Sequence, residues 1–206
     1  MHAHDVRIVA AGIAVSIACS RPPTAGFRFD NAAAILPADV AARLGGPLTA
    51  GESAAIARLS RDEIARAFTG LSVVVTDGSN AFWRVVVAPS IPAPLNRPRP
   101  SAGESMPLGM LGGSGVVAFD LVSFQAIHYA PPGATRQEMM DAIARGVGRV
   151  AVHEFMHQML GVSAAHNDAD PNSYECGRPD RAAQYYGELR WTTAWPLLQA
   201  KFGEHR

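Results

Sequence analysis

Several features are scarce in this chain, and each scarcity narrows the kind of protein it can be. The 206 residues carry no formal net charge and only 17% of them are charged, so the composition gives no sign of a nucleic-acid partner. No apolar run reaches the roughly 20 residues that a membrane-spanning helix needs. Two cysteines, Cys19 and Cys176, are too few for a disulfide scaffold, although a bridge between them stays open. We therefore expect a soluble mature protein.

The first residues have the layout of an export signal. Arg7 precedes an uncharged stretch of 11 residues, IVAAGIAVSIA, and the small residues Ser16 and Ala18 flank a cleavage position before Cys19. We expect residues 1–18 to be removed, which predicts a protein that is secreted, periplasmic or lipid-anchored in the cell envelope. Cys19 stands where a bacterial lipoprotein signal has its lipidated cysteine, so membrane attachment is expected only through that anchor. A buried N-terminal strand or helix is the alternative.

After the signal we predict an irregular lead-in, residues 19–48, and then one catalytic domain, residues 49–206. The lead-in is rich in Ala, Pro and Gly, with a short helix over PADVAARLG. β-Branched residues in LSVVVTD and AFWRVVVAP predict two strands joined by a tight turn at TDGSN. A loop with six prolines then runs from Pro89 to Met110, a length typical of functional rims. GGSGVVAFDLVSFQAIHYA predicts one or two further strands.

Helix starts are predicted at three pairs in which a serine or threonine precedes a glutamate by three residues, because the two side chains can cap the first turn. These pairs are Thr49/Glu52, Ser60/Glu63 and Thr135/Glu138. From the third pair a segment runs without proline to Gly161, and about 25 residues make a helix of about 37 Å. Gly146 and Gly148 within it indicate that another backbone passes close by.

The apolar residues of this long helix wrap around most of its surface, which indicates that it is buried at the centre of the domain. DRAAQYYGELRWTTAWPLLQAKF predicts a C-terminal helix or helix pair. Together the patterns predict an α+β fold in which a twisted mixed β-sheet packs on the long helix, with a helical segment at the C-terminus.

The end of the long helix carries the candidate site, in the sequence HEFMHQMLGVSAAHN. His153 and His157 are four residues apart, so they lie on one helical face and can direct their imidazoles at one metal ion. Glu154 lies on the adjacent side, where its carboxylate can take a proton from a metal-activated water. A catalytic zinc needs a third protein ligand, and His166 is the expected one because the chain can double back after Gly161.

Other residues stay open as parts of the site. Carboxylate oxygen also suits zinc, so Asp168 and Asp170 are alternative third ligands. GRPDRAAQYYG faintly resembles the GTxDxxYG segment of zincins with an aspartate ligand, and that resemblance would make Asp180 a further alternative. The hydroxyl of Tyr174 is a candidate for stabilising the oxyanion of a tetrahedral intermediate. Packing of the tyrosine in the core is the competing interpretation.

The motif resembles that of the metzincin metalloproteases, HExxHxxGxxH, and HNDADPNS after it is similar to bacterial matrixin-like members. The likeness covers roughly residues 52–187, although only residues 153–173 carry it with specificity. It implies a zincin-like fold with zinc as the cofactor. By the same resemblance the zinc ligands would be His153, His157 and His166, and Glu154 would be the general base.

The chain departs from that family in two respects. Gly161 and His166 lie four and nine residues after His157, where the family has three and six. No methionine follows Met159, so the methionine turn that underlies the metal in the family is missing. The chain is therefore interpreted as a divergent zincin rather than a standard matrixin.

These observations predict an exported zinc metalloendopeptidase that hydrolyses a protein or peptide substrate. We expect the extended substrate to pair with an edge strand in GVVAFDLV. The alternative is a zinc-containing binding or structural module of the same fold with lost or narrowed proteolysis. Glu154 favours the enzyme, because a structural zinc needs no general base. A third interpretation, in which His153 and His157 are core histidines without a metal, would require several hydrogen-bond partners for them.

Overall fold

The structure is a computed structural model that describes residues 22–78, 80–92, 101–108, 111–161, 166–178 and 180–203. The predicted signal and Cys19 lie outside these residues. None of the helices in the described ranges is long and apolar enough to cross a membrane.

Strands and helices of very different lengths make up the described chain. The strands are β1 (Thr24–Phe29), β2 (Val74–Thr76), β3 (Trp83–Ala88), β4 (Gly103–Pro107) and β5 (Gly113–Ala118). The helices are α1 (Ala38–Leu44), α2 (Ala50–Ala67), α3 (Phe119–His128), α4 (Arg136–Leu160), α5 (Ala183–Tyr186) and α6 (Trp195–Phe202), with a 3-10 turn at Asn31–Ala33.

The strands form one five-stranded sheet in the order β2-β1-β3-β5-β4. The first four strands are parallel, and β4 runs antiparallel to β5 at the edge. Helix α4 packs on β3, β4 and β5, and helix α2 packs on α4. The predicted α+β class with a mixed sheet on a long helix is confirmed, and so is the C-terminal helix pair, as α5 and α6.

The predicted hairpin at TDGSN is wrong, because β2 and β3 do not pair with each other. They lie on opposite sides of β1, with Thr76 beside Gly26 on one side and Trp83 beside Ala25 on the other. The chain between them therefore crosses over β1. A Cβ atom at Gly26 would lie 2.6 Å from the Ala81 Cβ atom and closer still to the Gly78 carbonyl oxygen. Only glycine leaves room for this crossing.

The N-terminal part of the domain also differs from the expectation. The predicted irregular lead-in is wrong for residues 22–48, because β1 occupies the interior of the sheet and its Ala25 and Phe27 are fully buried. The strand is hard to recognise in the sequence because it is short and lies between Pro23 and the turn at Asp30 and Asn31. The short helix predicted beside it is confirmed as α1.

Two further segments were assigned wrongly. The predicted strands of residues 112–130 are right only for β5, since Phe119, Val122 and Ala126 recur at helical spacing and form the buried face of α3. The proline-rich segment from Pro89 to Met110 contains β4. GVVAFDLV is therefore not an edge strand, and the edge lies in β4 instead.

Helix α2 runs unbroken through Ser60, so the capping box predicted there is wrong. The Ser60 hydroxyl donates to the carbonyl oxygens of Ile56, at 2.8 Å, and Ala144, at 3.0 Å. A serine can bond backward to its own helix in this way, which the local sequence does not distinguish from a cap. The boxes at Thr49 and Thr135 are confirmed at the first residues of α2 and α4.

The two glycines within α4 are explained by close packing, but the expected approach of another backbone occurs only at Gly148, whereas Gly146 meets side chains. A Cβ atom at Gly148 would lie 2.7 Å from the Ser60 carbonyl oxygen on α2. One at Gly146 would lie 2.6 Å from the ring of Tyr185. Helix α4 is thus covered by α2 on one side and by the sheet on another, which holds its last turns in a fixed position.

Candidate metal site

Three histidines converge at the end of α4. His153 and His157 project from its last two turns, and Gly161, in the left-handed conformation with φ of 84°, ends the helix. The His157 Nε2 atom lies 3.0 Å from Nε2 of His153 and 2.9 Å from Nε2 of His166. The expected third ligand is therefore placed beside the other two, and one ligand atom from each lies within 4.8 Å of the others.

The hydrogen bonding of His153 determines which ring nitrogen faces this centre with a lone pair. His153 Nδ1 lies 2.9 Å from the backbone carbonyl oxygen of Tyr174. Because a carbonyl oxygen only accepts, Nδ1 carries the proton and Nε2 of the neutral ring does not. Burial lowers the pKa of His153 to about 3, an effect to which the charge of His157 adds and which the bond to Tyr174 opposes. The imidazole is thus neutral, as a metal ligand must be.

Three neutral imidazoles satisfy these contacts only weakly by themselves. His153 Nε2 offers a lone pair, and His157 Nε2 carries at most one proton. That proton can at best be shared between the other two rings in a three-centre hydrogen bond. A cation at the centre would instead be bound by a lone pair from each ring. Nitrogen ligands about 2.0–2.1 Å from a tetrahedral zinc ion lie about 3.3 Å apart, close to the spacing observed, so the donor set fits zinc.

The loop after the helix is packed tightly against the third histidine. A Cβ atom at Gly177 would lie 3.0 Å from Cε1 of His166, so the ring rests on the glycine backbone. The Gly177 amide in turn donates to the Asp168 carboxylate over 2.8 Å. Sequence reasoning missed Gly177, for which the only signal is a glycine after the polar turn.

Arg181 stabilises the loop that contains Tyr174 and Gly177. Its guanidinium is mostly buried and donates to the carbonyl oxygens of Arg178, Pro171, Ser173 and Cys176 and to the amide oxygen of Gln184. A single side chain thereby fixes the backbone on both sides of Tyr174. No local sequence motif indicates this role of Arg181, since most of its partners are backbone carbonyl oxygens.

A second chain segment supports the loop through hydrogen bonds. The Tyr174 amide donates to the Arg190 carbonyl oxygen at 3.0 Å. The fully buried Glu175 carboxylate accepts from the amides of Thr192 at 2.6 Å and Ala194 at 2.9 Å. The loop is therefore held in place by the chain that runs from Arg190 to Ala194.

Glu154 lies beside the edge strand. Its side chain is almost fully buried, and burial raises the pKa of Glu154 to about 7, while the Ser105 hydroxyl opposes the rise and the charge of Glu104 adds to it. A Cβ atom at Gly103 would collide with Glu154 Oε1, so the glycine makes room for the carboxylate. Such a group can both take up and release a proton near neutral pH.

Gln158 joins α4 to the sheet one turn after Glu154. Its side-chain amide oxygen accepts from the Arg84 amide and its nitrogen donates to the Arg84 carbonyl oxygen, each over 3.1 Å. Ser105 on β4 donates to the Glu154 carbonyl oxygen at 2.9 Å. These bonds fix the edge strand relative to the helix. A buried glutamine within HEFMHQML was the available signal, and it was missed.

The other predicted candidates are engaged elsewhere. Asp168 accepts from Gly177, and Asp170 pairs with Arg190 at 3.0 Å. Asp180 lies 3.7 Å from Arg178 at the surface. The Tyr174 hydroxyl donates to Glu63 at 3.3 Å, so this tyrosine meets the site through its backbone. Within the described residues, the histidines alone form a group suited to a metal ion.

A cleft of about 1110 Å³ opens over the histidines. One wall is the edge strand, including Gly103 and Ser105, and the other is the loop that carries Gly177 and Arg178. His153, Glu154 and His157 line it together. An extended chain laid in this cleft would lie beside β4 and across the histidines.

No protein-family profile, curated protein or solved structure matches the chain. The assignment of a function therefore depends on the geometry of the site.

Proposed function

We propose that this chain is a zinc-dependent metallopeptidase of metzincin type that hydrolyses peptide bonds. The observation that carries the proposal is the convergence of the His153, His157 and His166 imidazoles beside the buried carboxylate of Glu154. Three nitrogen ligands leave a tetrahedral position open, as catalytic zinc sites do and structural ones do not. Export, with the protein secreted, periplasmic or lipid-anchored, stays a prediction from the first 19 residues.

Each group has a role in this proposal. His153, His157 and His166 hold the ion, which when bound supplies a Lewis acid that activates water and polarises a carbonyl oxygen. Glu154 accepts a proton from the attacking water and delivers it to the leaving amine nitrogen, two transfers for which a pKa near 7 is suited. The outer edge of β4, on which no strand of the described residues pairs, orients an extended peptide by backbone hydrogen bonds.

The test combines metal analysis with cleavage of casein and a peptide library. We expect one zinc ion per chain and cleavage by the wild type. Glu154→Gln should keep the zinc and lose activity by about 100-fold or more. His166→Ala should lose zinc, whereas Asp180→Asn, which alters an exposed alternative ligand, should behave as the wild type.

The results that contradict the proposal differ in what they reject. Unchanged cleavage by Glu154→Gln rejects the general base, and full zinc retention by His166→Ala rejects the third ligand. Stoichiometric zinc with no cleavage of any peptide would favour a binding or structural module instead.

A further inference from the structure

Tyr174 contacts two different parts of the protein. Its backbone contacts the candidate metal site, and its hydroxyl contacts a buried ion pair. Its backbone carbonyl accepts the His153 Nδ1 proton over 2.9 Å. Its hydroxyl donates to the carboxylate of Glu63 on α2, over 3.3 Å. The tyrosine therefore links a ligand on α4 to a different helix.

Glu63 is a rigid anchor for that link. Its side chain is fully buried, and its Oε1 atom also accepts from Arg149 Nε at 2.8 Å, while its other oxygen pairs with Arg66. Arg149 is itself 2% exposed and donates to the carbonyl oxygens of Ala183 and Gln184. With both partners held this way, a carboxylate in the interior has little freedom to move.

Arg149 also connects the anchor with the site through α4. It precedes His153 by four residues, so the two side chains leave the same face of the helix, one turn apart. Tyr174, by contrast, lies in a loop outside any helix or strand. Hydrogen bonds to Arg190 and Arg181 already hold the backbone around Tyr174, and the hydrogen bond of its side chain adds a further restraint on the position of its carbonyl oxygen.

We propose that Tyr174 is a positioning residue for the metal site, which fixes the tautomer and orientation of His153 by anchoring its own backbone to Glu63. The inference rests on metal binding by the three histidines, as proposed above, but not on peptidase activity. A ligand histidine whose second nitrogen donates to a fixed acceptor keeps its free lone pair aimed at the ion, and loss of such partners typically weakens metal binding 10- to 100-fold.

The test compares two tyrosines that each donate one hydroxyl hydrogen bond. Tyr174→Phe removes the bond to Glu63 and keeps the ring. Tyr186→Phe, the matched control, removes a 2.9 Å bond to the Ala126 carbonyl oxygen on α3. The zinc dissociation constant is measured by competition with a chelator, and the stability of the metal-free protein is measured by urea unfolding.

We expect Tyr174→Phe to raise the zinc dissociation constant about tenfold, the lower end of the range because the carbonyl oxygen itself remains. Tyr186→Phe should leave it within about twofold of the wild type, since its bond lies away from the histidines. If Tyr174 served only as core packing, both variants would lose stability and bind zinc as the wild type does, which would overturn the inference.

A second measurement does not depend on any variant. In the zinc-bound wild type, NMR should show a slowly exchanging Nδ1 proton on His153 with a cross-peak to the Tyr174 backbone. A rapidly exchanging proton would reject the link. Failure of the wild type to bind zinc would instead reject the proposed function, so the two failures can be told apart.

Discussion

The contact between α2 and α4 at Gly148 predicts that replacing this glycine by alanine destabilises the protein, although alanine is normally the better helix former. Alanine stabilises a helix interior by about 1 kcal/mol relative to glycine. At Gly148, however, the added Cβ atom would lie 2.7 Å from the Ser60 carbonyl oxygen and 2.8 Å from the Glu63 Cβ atom. Neither of these atoms belongs to the flexible end of a side chain, so the helices must move apart.

The magnitude follows from the two opposing effects. Ordinary contacts between carbon atoms are about 3.5–4.0 Å, so the helices must separate by about 0.7 Å. Overpacking of this kind costs about 1–3 kcal/mol, and displacement of Glu63 also weakens its buried pair with Arg149. After the gain in helix preference, we expect Gly148→Ala to lower the free energy of unfolding by about 2 kcal/mol.

The matched control is Gly51→Ala, which places alanine in α2 where no described residue, apart from the adjoining residues and backbone of the helix itself, has an atom within 4 Å of the new Cβ. That variant should gain about 0.5–1 kcal/mol. Urea unfolding of the metal-free proteins measures both changes, and in thermal melts Gly148→Ala should fall by about 4–8 °C. A Gly148→Ala protein as stable as the wild type would refute the close packing of α2 on α4.

Two further variants test how the stability of the protein depends on pH and how Gly103 of β4 positions the Glu154 carboxylate. Hydrogen bonds from Arg136 and the Thr49 amide lower the pKa of Glu52 from 4.5 to about 2, so its contribution to stability is complete above pH 4.5 and is lost as the pH falls towards 2. Because the pair is partly exposed, that contribution is at most about 1 kcal/mol. Glu52→Gln should lose it at pH 7, and its stability to urea should depend less on pH between 4.5 and about 2; an unchanged pH dependence would contradict this. Gly103→Ala should displace the Glu154 carboxylate and slow peptide turnover by about 10- to 100-fold with zinc affinity retained, whereas turnover equal to the wild type would show that the carboxylate does not need this space.

The parts of the fold that the sequence predicted are those determined by local chemistry. The span of α4 follows from the Thr135 capping box at one end and the left-handed Gly161 at the other, both of which involve neighbouring residues. Ser60 shows the limit of this reasoning, because it has the spacing of a cap but bonds backward within α2 and across to α4. The segments β1 and β4 were missed because short strands take their stability from neighbours distant in sequence.

In the candidate site, too, the features set by neighbouring residues were predicted and those set by distant residues were not. His153, Glu154 and His157 were predicted because helical spacing alone brings them together. His166 lies beside the other two histidines as expected, and its role as the third ligand stays a prediction. For Tyr174 the expected group was the hydroxyl, whereas the group at the site is the backbone carbonyl oxygen. The roles of Arg181 and Glu175 in supporting the loop could not be predicted from the sequence. Each side chain binds main-chain groups, which every residue has, so no pairing of residue types marks the contact.

The amide pairing of Gln158 with Arg84 makes one backbone proton report on a tertiary contact. The protons of most strand amides exchange with solvent when neighbouring strands separate. The Arg84 proton is held by a side chain of α4, so it becomes available when the helix lifts from the sheet while the strands stay paired. The solvent exchange of this single amide therefore separates undocking of the helix that carries His153 and His157 from unfolding of the sheet beneath it.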